Sequence, residues 1–258
     1  MFEITILASS SSGNSALLRS ESATILIDAG LSARQLTERL SQCSVSPSEI
    51  SAILITHEHS DHVKGLPQWC KQHGTPVYCN RHTATLLREK MSTHQAWNIF
   101  ETGSSFSLND LTVQPFSIPH DAVDPVGFVV REKDHSFGFA TDLGYATRLV
   151  IDSLKGLNGL LLEANYDEEL LQQDSKRPWA VKQRIASRHG HLSNNAAAEL
   201  LQQLLHEKLQ HVALGHLSAD CNKEALALEA VNRVLDATSP VQRWCAGPNA
   251  VSRTIRLG

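Results

Sequence analysis

Short apolar runs bounded by turn residues organise the first part of the chain. Strands are predicted where Ile, Leu and Val cluster between turn-forming residues, at residues 2–7, 16–18, 24–30, 52–55 and 77–79. Amphipathic stretches between them predict helices at residues 63–73 and 81–90. Ser32 and Gln35 have the spacing of a capping box, so a further helix is expected to follow Ser32. The pattern therefore alternates β and α.

The middle of the chain changes to strands separated by turns, and the second half is richer in helices. Strands are predicted at residues 111–116, 126–131, 136–140, 159–162 and 212–214. Helices are predicted at residues 145–154, 196–205 and 223–235. No composition shift divides the chain, so we expect one domain over residues 1–258. The order predicts an α+β fold, a four-layer αββα sandwich with two β-rich halves and helices outside.

The composition is typical of an intracellular globular protein. Of 258 residues, 41% are hydrophobic and 19% are charged, which is enough to bury a core. The formal net charge of −4 argues against coating nucleic acid or membrane through bulk charge, so a polyanion would need a local patch. The five cysteines form no C-x-x-C pair, and reduced thiols are expected. No apolar run approaches the ~18 residues of a membrane span, and residues 1–8 lack the basic start of a signal peptide, so we expect a cytoplasmic protein.

Residues 56–62, Thr-His-Glu-His-Ser-Asp-His, carry the chemistry on which the functional interpretation depends. They follow an apolar run and precede an amphipathic segment, so they are expected in a strand-to-helix turn, where four ligand groups can face one small volume. Imidazole nitrogen with carboxylate oxygen suits zinc, iron or manganese. A solvated polar turn is the alternative, but it gives no reason for so many histidines. The residue types therefore predict a metal centre.

Three further candidate ligands each follow a predicted strand. His120, Asp142 and His216 stand where a strand passes into a loop, and such loops let ligands from distant parts of a chain converge. Each would be ordinary alone, as a loop cap, and gains its interpretation from the cluster at residues 57–62. Together with that cluster they supply enough ligands for two metal ions.

The sequence His-x-His-x-Asp-His, with Asp28 before it and a later His, Asp and His, resembles the metallo-β-lactamase superfamily. The resemblance spans residues 28–216 and implies a metallo-β-lactamase-like sandwich with two divalent ions, zinc, manganese or iron. One metal would be held by His57, His59 and His120. The second would be held by Asp61, His62 and His216, with Asp142 bridging. Asp28 is then a buried carboxylate near the ligands, and Glu58 supports them or forms the turn.

Several short blocks are similar to the YycJ-like branch of this superfamily, which is associated with DNA exonuclease activity. They are residues 11–15, 28–32, 119–122, 141–145, 162–167 and 191–194. The chain is also similar to ribonuclease Z, where a histidine at the start of an alanine-rich helix lies near the leaving group. His191 fits that place and is the candidate that protonates the leaving alkoxide, beside Asp61 and Asp142 as the other catalytic candidates. The sequence shows no Gly- and Pro-rich insertion like the tRNA-gripping arm of ribonuclease Z.

Three functions are compatible with this ligand set. The first is a phosphodiesterase acting on DNA or RNA, an exonuclease, in which two dications lower the pKa of a bridging water from about 15.7 toward neutrality and so supply a metal-bound hydroxide. The second is a thioester, lactone or small cyclic-diester hydrolase. The third is a non-catalytic metal-binding partner, against which the full set of ligands argues. The sequence predicts no oligomeric state.

A basic segment, residues 175–190, leads to His191 and favours the first function. It carries Trp179, no acidic residue, and the cations Lys176, Arg177, Lys182, Arg184 and Arg188. Cations position a nucleic-acid backbone, and an aromatic ring can stack on a base. Lys182, Arg184 and Arg188 are therefore expected to bind substrate, although a solvated helix face is the alternative.

Two polar residues end the strand predicted before this segment. Glu163 and Asn165 face the same rim, where they either contact substrate or hold a loop by hydrogen bonds. We retain Asn165 as a candidate substrate contact. The remaining histidines have no comparable context and are expected to be ordinary surface or core residues, at positions 73, 82, 94, 135, 189, 206 and 211.

Overall fold

Two sheets of seven strands face each other in the computed structural model, which describes residues 1–91, 96–235 and 238–258. The strands are β1 (Phe2–Ala8), β2 (Ser15–Arg19), β3 (Thr24–Ile27), β4 (Ala52–Leu54), β5 (Val77–Asn80), β6 (Trp97–Phe100), β7 (Phe106–Leu108), β8 (Leu111–Ser117), β9 (Val126–Glu132), β10 (His135–Ala140), β11 (Gly159–Glu163), β12 (His211–Gly215), β13 (Gln242–Cys245) and β14 (Ile255–Leu257). The helices are α1 (Ala33–Gln42), α2 (Ser60–Val63), α3 (Leu66–His73), α4 (Arg81–Lys90), α5 (Arg148–Leu154), α6 (Glu168–Gln173), α7 (Trp179–Ile185), α8 (Asn194–Leu204) and α9 (Glu224–Asn232). Position 94, for which we predict an ordinary histidine, lies outside the described residues.

Each sheet is antiparallel in one half and parallel in the other. The first sheet has the order β14-β1-β2-β3-β4-β5-β6, with parallel pairing from β3 to β6. The second has the order β13-β12-β11-β10-β9-β8-β7, with parallel pairing from β10 to β13. Parallel neighbours end at the same edge of a sheet, so each sheet has an edge where several strands pass into loops together.

Three apolar layers confirm the predicted αββα sandwich. Residues from both sheets, including Ile25, Leu54, Phe128 and Phe137, form the core between the sheets. Helices α1, α3 and α4 cover the outer face of the first sheet, and α5, α8 and α9 cover the outer face of the second. Strand β4 is buried throughout because it packs on both faces, which is why its sequence is continuously apolar.

Most predicted elements occur where the apolar pattern places them, and the differences lie at their ends. The helix at residues 81–90 and the capping box of Ser32 with Gln35 are confirmed. The strand predicted at residues 24–30 ends at Ile27 because Asp28 adopts a left-handed backbone, with φ of 62°. The helix predicted from residue 145 begins only at Arg148, after Thr147, which caps it.

Strands β6, β7, β13 and β14 have no counterpart among the elements predicted from the sequence. All four lie at the edges of their sheets, where exposure is higher and the apolar pattern is weaker. In the described part of the chain, no helix has the length and hydropathy that a membrane crossing requires.

Candidate metal centre

The candidate ligands lie at the ends of strands from both sheets. The predicted strand-to-helix turn is confirmed, since His57 follows β4 and Asp61 and His62 lie in the first turn of α2. His120, Asp142 and His216 follow β8, β10 and β12 of the second sheet. Because the two sheets face each other, their edges bring these loops together. The structure thus places all seven predicted ligands in one cluster, the candidate metal centre.

One half of the candidate metal centre consists of three imidazoles. His57, His59 and His120 each offer a ring nitrogen, and these nitrogens lie within 4.8 Å of one another. The Nε2 atom of His120 is 3.3 Å from the Nδ1 atom of His59. His57 is completely buried and His120 is almost so. The grouping is the one that we predict for the first metal ion.

The other half combines carboxylates with imidazoles. Asp61, His62, Asp142 and His216 also bring one donor atom each within 4.8 Å of the others. Asp142 Oδ2 lies 3.0 Å from His62 Nε2, while its Oδ1 lies 3.6 Å from His120 Nε2. Asp142 therefore reaches both halves, which is the position that a bridging ligand needs.

A buried carboxylate, Asp28, sets the protonation of two histidines in the cluster. His62 donates from Nδ1 to Asp28 Oδ2 at 2.8 Å. The hydroxyl of Thr56 also donates to Asp28, so His57 must donate from its own Nδ1 to Thr56 Oγ1 at 3.0 Å. Both rings then direct Nε2 toward the cluster. Polar groups behind a metal-binding histidine commonly fix its tautomer in this way.

Glu163 has the same role on the opposite side of the cluster. His216 and His191 both donate from Nδ1 to Glu163 Oε1 at 2.9 Å. The other oxygen of Glu163 accepts from the backbone N–H groups of Leu143 and Leu192, each next to a site residue. Burial raises the pKa of Glu163, but the imidazoles of His191 and His216 outweigh this and lower it to about 2. An ionised Glu163 thus accepts hydrogen bonds from four groups of the site, two imidazoles and two backbone N–H groups.

The backbone is strained at three residues of this region. Asp28, Asp142 and His216 have φ values of 62°, 58° and 56°, each directly or shortly after a strand. A left-handed backbone at a residue with a side chain costs roughly 1–3 kcal/mol and persists only where surrounding contacts hold it. These residues turn the chain abruptly at the strand ends, which directs their side chains to a common point.

Close backbone contact joins the first loop of the chain to the cluster. A Cβ atom on Gly30 would lie 1.7 Å from the carbonyl oxygen of Asp61, so only glycine fits there. The Asn14 amide nitrogen, in the β1–β2 loop, lies 3.2 Å from Asp61 Oδ2 and 3.1 Å from His62 Nε2. The β1–β2 loop therefore supports the carboxylate half of the site.

The donor set fits cations. His57 Nε2 and Asp142 Oδ2 are buried and have no hydrogen-bond partner among the described residues, which is costly for polar atoms unless another group satisfies them. Burial opposes a charged imidazolium, yet the carboxylates of Asp142, Asp61 and Glu163 raise the pKa of His216 to about 10. The cluster therefore has a strongly negative potential and unpaired lone pairs, and divalent metal ions satisfy both.

The two polar residues predicted near the ligands have distinct positions. Glu58 accepts from the backbone N–H of Val123 at 3.0 Å, so it ties the turn after β4 to the loop that follows His120. Asn165 is buried, and its amide donates to the carbonyl oxygen of His216 at 2.7 Å. It lies behind His216, and this position gives no support to the predicted contact with substrate.

The basic segment, residues 175–190, contains helix α7 and ends beside the candidate metal centre. The backbone oxygen of Gly190 accepts from His120 Nδ1 at 3.1 Å, and the His191 ring centroid lies 5.2 Å from that of His120. Arg184 forms an ion pair with Asp121, the residue after His120. Arg184 thus fastens α7 to the site.

The other two predicted substrate cations have no carboxylate partner among the described residues. The Lys182 ammonium donates to the carbonyl oxygen of Gln172 at 2.8 Å, and the Arg188 guanidinium lies 5.1 Å from the centre of the Tyr145 ring. Their positive charge therefore remains available on the surface. Lys176 and Arg177, at the start of the basic segment, are instead paired with Asp220.

The sequence pattern does not single out three residues that support the site. It leaves the role of Glu163 open, and it gives no role to Thr56 or Asn14. The signal for Glu163 is its place at the end of a strand that reaches the same rim. Thr56 adjoins the histidine cluster, and Asn14 lies in a Ser- and Gly-rich turn, so neither stands out by residue type. Their contacts with Asp28 and Asp61 depend on how separate loops meet.

Known proteins resemble this chain in sequence and in structure. Residues 23–213 match the family described as beta-lactamase superfamily domain. The chain is 37% identical over 242 residues to exodeoxyribonuclease WalJ of Streptococcus pneumoniae, covering 92% of this chain and 89% of that protein. It is 33% identical over 235 residues to exodeoxyribonuclease YycJ of Bacillus anthracis, covering 90% and 88%. The structure of Zn²⁺-bound PqqB from Methylobacterium extorquens superposes with a TM-score of 0.75 at 14% identity, covering 99% of this chain and 100% of that one.

Proposed function

The chain belongs to the family described as beta-lactamase superfamily domain, and we propose that it is a metal-dependent phosphodiesterase that acts on DNA or RNA as an exonuclease. The observation that carries the proposal is the one cluster in which two groups of imidazoles and carboxylates meet at Asp142. Its similarity to exodeoxyribonucleases over some nine-tenths of the chain supports this interpretation over a thioester or lactone hydrolase.

Two divalent ions, zinc, manganese or iron, fit the proposed ligand sets. His57, His59 and His120 would hold one, and Asp61, His62 and His216 the other, with Asp142 shared. When bound, such ions would lower the pKa of a coordinated water and would offset charge on the phosphoryl oxygens. The protein itself contributes the hydrogen bonds at Nδ1 of His57, His62 and His216, which fix the ring orientations and direct the Nε2 atoms at the site.

His191 is the group that we assign to the leaving oxygen. Its side chain is 20% exposed, so substrate can reach it, while Glu163 is fully buried behind it. Because Nδ1 donates to Glu163, the second ring nitrogen is the one that can carry a proton to a departing alkoxide. Burial lowers the pKa of His191, but the adjacent Glu163 carboxylate outweighs this and raises it, which favours the protonated ring that a proton donor needs.

The proposal includes one domain over residues 1–258 and a cytoplasmic location. Continuous packing between the sheets supports the first of these. The second is supported by the five free cysteines, since free thiols are typical of reducing compartments.

Cleavage of defined nucleic acids tests the proposed activity. Purified protein loaded with manganese or zinc is incubated with end-labelled duplex DNA, single-stranded DNA, RNA and a thioester. We expect stepwise release of nucleotides from one end of a linear strand and no cleavage of a covalently closed circle. Cleavage of the circle would indicate an endonuclease.

The variant Asp142→Ala, prepared in the same way, shows whether a contaminating nuclease is responsible. We expect it to be inactive on every nucleic acid. Hydrolysis of the thioester alone by the wild-type protein would contradict the proposed substrate class.

A further inference from the structure

A cavity of about 290 Å³ lies between α6 and α7. Tyr166, Leu171, Trp179 and Ala186 form its apolar walls. The wall at Tyr166 adjoins Asn165, whose amide contacts His216. Tyr166, in the cavity wall, is therefore the neighbour in sequence of a residue that supports the candidate metal ligand His216. Its volume is just below the ~300–1,000 Å³ of pockets for drug-sized ligands, which suits a single planar ring system.

Trp179 is the residue that makes this cavity unusual. It is 67% exposed, whereas Trp69 is fully buried. Helix α7 buries none of its residues, so core packing does not explain an indole there. A large exposed aromatic surface beside a cavity is typical of a binding site, because the indole supplies much contact area at a small cost in side-chain entropy.

The polar groups at the cavity match the edges of a heteroaromatic ring. The side-chain amides of Gln172 and Gln183 line it, and neither has a hydrogen-bond partner among the described residues. Glu168 also lines it, but Ser193 and Asn195 donate to its carboxylate. The cavity therefore presents free amide donors and acceptors, while its one carboxylate is already engaged.

Charge and chain continuity indicate which molecule enters. Lys182 lines the cavity without a carboxylate partner among the described residues, and the basic segment around it contains no acidic residue. The same segment continues from α7 directly to His191 at the candidate metal centre. An occupant that combines a flat ring with a nearby negative charge, and that also reaches the site, is a nucleotide of a bound strand.

We propose that this cavity binds one nucleobase of the substrate strand, with Trp179 stacked on the base and Lys182 near its phosphate. The inference rests on the proposed function, which it deepens by placing a base-binding site on the basic segment that leads to His191. Since every base has a flat face, stacking of this kind holds the strand without selecting its sequence.

The test compares kinetics on an oligonucleotide with kinetics on a small chromogenic diester. The variants are Trp179→Ala, Trp179→Phe and, as a matched control, Leu205→Ala. Leu205 is exposed but lies at the far end of α8 from His191. We expect Trp179→Ala to raise KM for single-stranded oligonucleotides roughly 10-fold, within the range for removal of one stacking aromatic. Trp179→Phe should keep most of the affinity, and the small diester should be cleaved equally by all variants.

Oligonucleotides with a single abasic residue, moved stepwise along the strand, then test whether a base is the occupant. When the abasic residue is at the position that binds in the cavity, we expect the wild-type protein to lose as much affinity as Trp179→Ala loses on the intact strand. The variant should lose no further affinity with that abasic strand. A Trp179→Ala penalty that persists at every abasic position would overturn base stacking. Unchanged oligonucleotide kinetics in Trp179→Ala would overturn the site itself.

Sedimentation of the same variants tests whether the cavity is occupied instead by a second copy of the chain. Dissociation of a wild-type dimer by Trp179→Ala, without a change in oligonucleotide KM, would show that another subunit covers the cavity and overturn the inference. These failures leave the proposed function intact, because the wild-type protein still cleaves nucleic acid. A wild-type protein that cleaves no oligonucleotide would overturn both.

Discussion

In the candidate metal centre, His57 and His62 are fully buried and each is held from behind by a chain of hydrogen bonds to Asp28. In the basic segment, by contrast, α7 buries no residue, and its main link to the site is the ion pair of Arg184 with Asp121. In the first region, hydrogen bonds to buried groups hold the histidine rings in place. The second can change its side chains at little cost to the fold.

This difference assigns separate tasks to the two regions. Buried, mutually supported ligands keep donor atoms in place without reorganisation, which is what catalysis by bound metal ions needs. Exposed cations and an exposed indole supply interactions that are weak one by one and add along a strand. We therefore expect changes in the candidate metal centre to abolish turnover, and changes in the basic segment to alter substrate binding.

Loss of the bridging position should have the largest effect. Replacing Asp142 with alanine removes the carboxylate that reaches both halves, so we expect loss of bound metal and of detectable cleavage. Metal content measured by mass spectrometry, together with cleavage of labelled DNA, checks this. Asp152→Ala is the matched control, because Asp152 is exposed on α5 and pairs with the surface cations Arg148 and Lys155. Chelation followed by added metal should restore wild-type activity and leave Asp142→Ala inactive.

Removal of the candidate proton donor should have the next largest effect. Since general acid catalysis contributes about 10²- to 10⁴-fold, His191→Ala should lower kcat by an amount in this range while the metal content is kept. His189→Ala serves as control, because this exposed histidine lies two residues earlier in the same segment. Turnover in His191→Ala equal to that of wild type would exclude the assigned role.

Neutralising the carboxylate behind the histidines should have an intermediate effect. Glu163→Gln keeps the shape of the side chain but weakens its hydrogen bonds to His191 and His216, and changes behind metal ligands typically cost about 10- to 100-fold. Activity titrated against metal concentration measures the loss. Glu199→Gln is a suitable comparison, because Glu199 is exposed on α8, and an equal loss there would mean that the effect is not specific to the site.

Changes in the basic segment should have the smallest effect and should separate the two regions most clearly. Lys182→Gln combined with Arg188→Gln should weaken binding of duplex DNA and lower its salt slope by up to about 0.9 for each phosphate that is no longer neutralised. Arg184 is left in place because its ion pair holds α7 to the loop after His120. Binding measured over a range of salt concentrations checks this, with Arg148→Gln and Lys155→Gln on α5 as control. The small diester should be cleaved normally, and an equal loss on both substrates would refute the separation.

The sequence predicts much of the fold because apolar periodicity is a local property. The alternation around β3, β4 and α4 follows from side chains that must face a core, and the capping box at Ser32 depends on residues three apart. Edge strands such as β13 and β14 are half exposed and lack that pattern, so periodicity does not predict them.

The sequence by itself determined that this protein offers imidazole and carboxylate ligands at strand ends, at positions 57–62, 120, 142 and 216. It could do so because ligand chemistry is a property of the side chain. Only the tertiary structure decided how those ligands are used. The roles of Asp28 and Glu163 depend on loops that are distant in the chain and meet where two sheets face each other. The same packing pairs Arg184 with Asp121 and leaves Trp179 exposed beside a cavity. Neighbours in space, and not neighbours in sequence, decide which charges pair and which rings stay exposed.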